Sequence, residues 1–308
     1  MSPRSAFAGL AAAALLAGLT GCGNDDASAA EAPLSSFDVV VVASATNDPL
    51  HADLYGIRFD PLSAVQITHG KNVSTVDATA SRVVVAAADG DVDQLAFVGA
   101  DGGLSEIPGM GRPFAYNPTF VDSHTLMFDD VLVPKENVQV NRTVQWDETA
   151  QAKKVLFETA DDLIGSTPGP AGQVAAIRTG KNGRKSVVVR AASGETREVP
   201  IDGDIGRLDW GPHYIAVALN RAQVESGGDP SIATILVDPV AGKQLQLGAS
   251  QPIAWTPDGT KLLVRQTGDA KNSQLAFFDP AKPDDLQRLG GITGLVIYSG
   301  AWVKGDPF

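Results

Sequence analysis

The sequence is poor in the residues on which disulfide, metal and nucleophile chemistry depend. A single cysteine, Cys22, occurs in 308 residues, so no disulfide can form within the chain. The four histidines lie in separate parts of the sequence, without a pair at metal-ligand spacing; they are His51, His69, His124 and His213. The chain also lacks Gly-x-Ser-x-Gly, His-Glu-x-x-His, Gly-Lys-Ser/Thr and Gly-x-Gly-x-x-Gly. These absences disfavour an enzyme and leave no catalytic residue, metal site or cofactor to assign.

Basic residues are also scarce. The chain has 24 Lys and Arg against 36 Asp and Glu, for a formal net charge of −12. This acidity argues against binding of nucleic acid and against a basic surface for anionic lipids. The charge disfavours two classes of partner and does not identify another.

Residues 1–21 are predicted to be a signal peptide. Arg4 precedes about sixteen apolar or small residues, a run that suits a signal peptide and is short for a membrane span. The run ends in Leu19-Thr20-Gly21-Cys22, which resembles the lipobox of bacterial lipoproteins. In that family the cysteine thiol is linked to a diacylglycerol and becomes the first mature residue. One alternative is that the cysteine is incidental. The other is a retained transmembrane anchor, and the polar residues after Cys22 disfavour that anchor.

Residues 22–35 are predicted to be the lipidated cysteine and a flexible tether. The stretch is rich in Ala, Ser, Asp and Glu and buries too little apolar surface to offset chain entropy. Loss of Arg4 with the signal peptide changes the net charge from −12 to about −13. We expect one folded domain at residues 36–308.

Short Val-rich runs separated by turn residues characterise that domain. Examples are FDVVVVAS at 37–44, RVVVAAA at 82–88 and KLLVRQ at 261–266, with Asp-Gly, Asn-Gly and Asp-Pro between such runs. No stretch after the signal peptide keeps a helical period for three turns. We therefore predict an all-β domain.

A strand–turn–strand unit recurs six times at intervals of about 40 to 48 residues. Its first strand lies at 53–60, 94–101, 142–149, 186–193, 234–241 and 274–281. A second hairpin precedes every unit except the first, at 73–88, 113–128, 163–178, 207–220 and 252–266. Two hairpins in such a period are typical of a four-stranded β-propeller blade.

The clearest hairpin contains Trp255-Thr256-Pro257-Asp258-Gly259, which resembles the TolB-like (PD40, WD40-like) β-propeller repeat. We predict a six-bladed β-propeller with four-stranded antiparallel blades. The first blade lacks its innermost strand, and we predict that residues 295–303 supply it, because Gly300-Ala301-Trp302 echoes Ile253-Ala254-Trp255. One C-terminal strand would then join three N-terminal strands and close the ring without an open edge.

Several residues of the repeat are predicted to be structural. One large aromatic residue per blade, at the end of the innermost strand, fills the space between tapering sheets; these residues are Tyr116, Trp210, Trp255 and Trp302. The alternative is an aromatic cage or a sugar platform. Asp258 and Gly259 are predicted to form a turn, since Asp bonds its own backbone and Gly adopts positive φ.

The connections between second and third strands should emerge on the face that also carries the blade-to-blade connections, here termed the loop face. They are polar and long, at 44–52, 88–94, 129–141, 179–185, 220–231 and 267–273. We predict a binding surface of mixed charge on this face. Its residues are Asp89, Asp91, Asp93, Lys181, Arg184 and Lys185. The alternative is that these are ordinary surface loops.

The acidic run 89–93 also has the 1-3-5 spacing of a calcium loop. Gln94 and Ala100 stand where such a loop needs Gly and Glu, so the coordination is incomplete. We therefore favour a solvated hairpin turn and predict no metal.

The resemblance implies an interaction platform, because TolB-like propellers commonly bind proteins. We expect a monomer on the extracytoplasmic side, attached to the membrane only through acylated Cys22, that binds an envelope protein or wall component and neither nucleic acid nor a cofactor. The alternative is an enzyme of lactonase or cyclase type with its site in the central channel. Such an enzyme would need carboxylate, Asn or His side chains that converge on the channel mouth.

Overall fold

The computed structural model describes residues 33–303 except residues 47, 90–91, 111–114, 136–137, 160–161, 181, 221–231 and 267–270. Within these ranges the chain forms β-strands and three short 3-10 turns, at Leu34–Ser36, Pro49–His51 and Pro170–Gly172. None of the helices in these ranges is long and apolar enough to cross a membrane.

The strands form six four-stranded antiparallel sheets, and each sheet is one blade. Blades 1 to 3 contain β1 (Val39–Ser44), β2 (Asp53–Phe59), β3 (Leu62–Gln66), β4 (Val73–Ala78), β5 (Val83–Asp89), β6 (Val92–Val98), β7 (Leu104–Glu106), β8 (Ala115–Phe120), β9 (Thr125–Lys135), β10 (Val138–Asp147) and β11 (Ala152–Thr159). Blades 4 to 6 contain β12 (Asp162–Pro168), β13 (Val174–Thr179), β14 (Lys185–Arg190), β15 (Thr196–Pro200), β16 (Asp204–Trp210), β17 (Ile215–Asn220), β18 (Ile232–Val237), β19 (Gln244–Gly248), β20 (Ser250–Trp255), β21 (Leu262–Gln266), β22 (Asn272–Phe278) and β23 (Leu286–Thr293). The last strand, β24 (Val296–Trp302), belongs to blade 1. The predicted six-bladed propeller is confirmed.

The C-terminal strand β24 is the innermost strand of blade 1 and pairs antiparallel with β1. Trp302 lies opposite Val39, and Gly300 lies opposite Val41. A Cβ atom at Gly300 would stand within 2.9 Å of Ile253 in blade 6 and of the Val40 carbonyl oxygen. Glycine therefore permits this close approach, and the ring closes as the sequence predicts.

Burial follows the position of each strand in its blade. The second strands are buried on both faces, as at Val39–Ser44, Ile215–Leu219 and Leu262–Arg265. Strands without a water-facing side read as continuous apolar runs, which explains the Val-rich segments of the sequence. The outermost strands, such as Thr196–Pro200, are mostly exposed.

The hydrophobic cores lie between neighbouring blades. Val40 and Leu54 of blade 1 share a core with Val83 of blade 2. Likewise, Ile177 of blade 4 packs with Ile205 of blade 5. Each such side chain contributes about 1.5–3 kcal/mol when it is fully buried. A blade therefore buries its apolar surface only against its neighbours in the ring.

The two faces of the ring carry different connections. The loop face carries the connections between second and third strands and those between blades. The opposite face, here termed the turn face, carries the turns between first and second strands and between third and fourth strands. Residues 256–261 and 238–243 form two of these turns.

The segment 129–141, predicted as a loop, is instead largely strand. β9 continues to Lys135 and β10 begins at Val138, and Val131 lies opposite Asn141. Val-Leu-Val and Val-Gln-Val extend the ladder here, because β-branched residues suit paired extended backbone. Residues 88–94 also lie mostly in β5 and β6. In these two segments the described residues therefore lie in strands where the sequence predicts loops.

Candidate functional site

Three of the predicted aromatic residues end the innermost strands of their blades. Trp210 ends β16, Trp255 ends β20 and Trp302 ends β24. Trp210 and Trp255 are 4% and 8% exposed, respectively. Trp302 is partly buried and stacks on Phe277, with ring centroids 6.2 Å apart. All three side chains therefore lie at the turn-face ends of their strands.

Tyr116 differs from the predicted pattern, because it is the second residue of β8 and Phe120 ends that strand. The pairing of β8 with β9 shifts between Tyr116 and Thr119, and Asn117 has a φ of 50°. This bulge lets the strand continue past Pro118. The residue equivalent to the tryptophans is therefore Phe120, which is buried.

Two tryptophans pack on a glycine of the preceding blade. A Cβ atom would lie 2.5 Å from the Trp210 ring at Gly169, and 2.5 Å from the Trp255 ring at Gly211. Trp255 Nε1 donates to the Asp209 carbonyl oxygen at 3.1 Å. Trp210 Nε1 is buried and has no hydrogen-bond partner among the described residues. The two sites thus share their packing and differ in one hydrogen bond.

Asp258 and Gly259 lie in the turn between β20 and β21. Asp258 Oδ1 accepts hydrogen bonds from the Thr256 hydroxyl at 2.5 Å and from the Thr260 backbone N–H at 3.1 Å. These two bonds, the first more than the second, hold the pKa of Asp258 below its usual range. Gly259 has a φ of 62°, and a Cβ atom there would stand 2.1 Å from Pro212. This turn therefore packs directly against blade 5.

The structure describes the side chains of three of the six predicted loop-face residues, Asp93, Arg184 and Lys185. Asp93 accepts a hydrogen bond from Ser74 Oγ at 2.7 Å. Lys185 forms an ion pair with Asp204 at 2.5 Å, and Arg184 is exposed. Asp89 lies in β5, but its side chain is outside the described residues, as are Asp91, Lys181 and the lipidation candidate Cys22. The loop-face surface stays a prediction.

A small cavity lies at the axis of the ring, where the innermost strands of four blades meet. Its volume is about 50 Å³, and its lining includes Thr75, Asn117, Ser166 and Arg207. A cavity needs about 10–15 Å³ of such volume to hold one water molecule, so there is room for a few water molecules. Small-molecule sites typically measure about 300–1,000 Å³. The cavity is too small for such a ligand.

Three titratable side chains, Asp77, Arg207 and Asp209, lie near this cavity. Burial raises the pKa of Asp77 to about 7 and also raises the pKa of Asp209, while the Arg207 guanidinium opposes both changes. Asp77 Oδ2 accepts the Phe120 backbone N–H at 2.6 Å. Arg207 Nη2 donates across the ring to the Gly300 carbonyl oxygen at 3.5 Å. These contacts connect blade 2 with blade 3 and blade 5 with blade 1.

Asp129 is the centre of a buried hydrogen-bond network between blades 3 and 4. It accepts hydrogen bonds from Asn117 Nδ2 at 3.0 Å, from the Gly165 N–H at 2.8 Å and from Ser166 Oγ at 2.5 Å. Burial raises the pKa of Asp129, although these donors act in the opposite direction. The partners occupy the carboxylate, which favours a structural role.

A large groove crosses the turn face over blades 4, 5 and 6. Its volume is about 780 Å³, and turns of three neighbouring blades form its walls. Aromatic, proline and aliphatic residues dominate the lining, which comprises Pro170, Gln173, Trp210, Pro212, His213, Tyr214, Asp238, Pro239, Val240, Gly259, Thr260, Asp279, Pro280 and Ala281. We refer to this set as the turn-face groove. It lies opposite the face that the sequence favours.

Exposed apolar surface and negative charge characterise the groove. Val240 is 78% exposed. In the part of the chain that the structure describes, the lining contains Asp238 and Asp279 and no Glu, Lys or Arg. Asp238 Oδ1 accepts the N–H groups of Val240 and Ala241 at 2.8 Å, and these bonds hold the pKa of Asp238 below its usual range. Among the described residues, no group of three His, Cys, Asp or Glu side chains could hold a metal ion.

Comparison with solved structures identifies the fold. The chain superposes on TolB from Acinetobacter baumannii with a TM-score of 0.63, at 13% identity over 86% of this chain and 66% of that one. The fold is that of a TolB-like propeller. A putative TolB from Agrobacterium tumefaciens gives a TM-score of 0.54 at 12% identity, over 72% of this chain and 87% of that one. The tricorn protease gives 0.54 at 12% identity, over 82% of this chain and 29% of that one.

These likenesses show the architecture alone, because all the identities are low. The chain spans less than two thirds of the length of the Acinetobacter TolB and of the tricorn protease. No protein-family model matches it, and no curated protein matches it by sequence. Its function is therefore argued from its own residues.

Proposed function

We propose that this protein is a lipid-anchored, extracytoplasmic binding protein that holds a protein of the cell envelope in the turn-face groove. The groove itself is the observation that carries the proposal. The sequence resemblance to TolB-like repeats implies the same class of role, an interaction platform. The proposed binding surface lies on the turn face, whereas the sequence predicts it on the loop face.

The composition of the groove favours a protein partner. Tyr214 supplies partly exposed aromatic surface, and Val240 extends from the rim with 78% of its surface exposed. Aromatic residues are enriched at interfaces, and exposed apolar patches mark interaction sites. Pro212, Pro239 and Pro280 fix backbone angles in the walls, so little conformational entropy is lost on binding.

The lipid anchor rests on the sequence at Cys22. Mass spectrometry of the mature N-terminus tests it. We expect the wild-type chain to begin at Cys22 with a diacylglyceryl group, and Cys22→Ala to lose this modified peptide. Ser28→Ala, in the predicted tether, is the control and should keep it. An unmodified wild-type N-terminus at another residue would contradict the anchor.

Affinity capture from gently solubilised envelopes tests the platform. Val240 on the turn face and Leu50 on the loop face are matched, since they are 78% and 76% exposed and neither belongs to a core. We expect Val240→Glu to lose the partner that wild type recovers, and Leu50→Glu to retain it. The reverse pattern would assign binding to the loop face. If wild type recovers no partner, the proposed function is wrong.

A further inference from the structure

We infer that the turn-face groove recognises an extended segment of its partner in which a basic side chain adjoins an apolar one. This inference rests on the proposed function, because it names the ligand class of the same groove. It follows from the repetition of one turn in neighbouring blades.

Asp238 and Asp279 occupy equivalent positions in blades 5 and 6. Each begins the turn between the third and fourth strands and is followed by proline. Asp279 Oδ1 accepts the Ala281 N–H at 2.9 Å, as Asp238 Oδ1 accepts the N–H of Val240. Oδ2 of each has no hydrogen-bond or ion-pair partner among the described residues. One oxygen thus holds the turn, and the other is available to a ligand.

The charge inside the groove selects the sign of the ligand. Its described lining holds two carboxylates and no Lys or Arg. Arg197 and Lys243 lie near Asp238 and help to lower its pKa, but neither forms an ion pair with it in the described part of the chain. Arg197 instead donates to the Val240 carbonyl oxygen. Lys or Arg side chains of a partner fit this lining, whereas a phosphate or an acidic segment would be repelled.

The shape of the groove selects an extended backbone. Its lining runs from Pro170 in blade 4, past Tyr214 in blade 5, to Ala281 in blade 6. A compact ligand would touch one wall, whereas an extended segment meets both Asp-Pro turns and the partly exposed Tyr214 between them. Aromatic-lined grooves bind extended, proline-rich segments in this way.

Selection from a phage-displayed library of random peptides against the full-length, lipidated protein tests the inference. We expect the enriched sequences to combine Lys or Arg with Pro, aromatic or aliphatic residues. The selected peptides should bind the Asp238→Asn/Asp279→Asn double variant about threefold to tenfold more weakly. Asparagine keeps the Oδ1 that caps each turn, so the fold should persist, and an unchanged melting temperature verifies this.

Asp147 provides the matched control. It holds the equivalent turn of blade 3, where its Oδ1 accepts the Thr149 and Ala150 N–H groups at 2.8 and 2.9 Å, and it lies outside the groove. Asp147→Asn should therefore bind the peptides as wild type does. Enrichment of acidic peptides, no enrichment, or equal binding by the double variant would overturn the inferred ligand class. The capture experiment with Val240→Glu decides the proposed function separately.

Discussion

Substituting each of two equivalent tryptophans by phenylalanine isolates the value of one interblade hydrogen bond. Trp210 and Trp255 end equivalent strands, are both buried, and pack on Gly169 and Gly211 in the same way. Phenylalanine removes a similar part of the ring at both sites, which costs roughly 1–3 kcal/mol in each variant. Only Trp255→Phe also removes a hydrogen bond, the one to the Asp209 carbonyl oxygen.

The difference between the two variants follows from this bond. Loss of this hydrogen bond in Trp255→Phe costs about 1 kcal/mol. Trp210→Phe instead removes a buried N–H group that has no partner in the described chain, and its removal relieves a desolvation penalty. We therefore expect Trp255→Phe to lower the free energy of unfolding by about 1–2 kcal/mol more than Trp210→Phe. Equilibrium unfolding in urea measures this difference, provided that the m-values agree. Equal losses, or a larger loss for Trp210→Phe, would refute the reasoning.

Three further predictions concern interblade contacts. Gly211→Ala should lower the free energy of unfolding in urea by about 1–3 kcal/mol, because its Cβ would stand 2.5 Å from the Trp255 ring. A loss that persists undiminished in a Trp255→Ala background, which removes the ring, would contradict this cause. Burial raises the pKa of Asp77 from 3.8 to about 7, so the folded protein holds an extra proton and its stability falls as pH rises from about 4 through 7. At about 1.4 kcal/mol per pKa unit, this loss of stability is at most about 4 kcal/mol, and Asp77→Asn should abolish it. If the variant keeps the wild-type dependence of melting temperature on pH, Asp77 is not the source of the loss. Asp129→Ala should lower the free energy of unfolding by more than about 3 kcal/mol, since it leaves buried donors of Asn117 and Ser166 unpaired, and a loss below 1 kcal/mol in urea would contradict the role of the network.

The fold was predictable because its main determinants are local and repeated. Strands buried on both faces read as apolar runs, as at Val39–Val42, and the outer hairpins recur at nearly constant spacing. The closing strand could be placed because Gly300-Ala301-Trp302 repeats the pattern of Ile253-Ala254-Trp255. Because the same short pattern recurs in each blade, the order of the strands in the ring can be predicted from local sequence.

The position of the groove was not predictable from the same signals. Connection length favoured the loop face, yet the groove depends on how short turns of three blades converge in space. Asp238-Pro239 and Asp279-Pro280 are visible in the sequence, but Asp60-Pro61 has the same pattern and lies outside the groove. The prediction that Tyr116 ends its strand is wrong for a related reason, because the bulge at Asn117 shifts the strand end to Phe120.

Site-specific photocrosslinking in intact cells tests the central claim most directly. A benzophenone amino acid at position 240 probes the turn-face groove, and the same residue at position 50 probes the loop face with equal exposure. We predict a covalent adduct with an envelope protein from position 240 and none from position 50. An adduct only from position 50, or no adduct from either position, would contradict it.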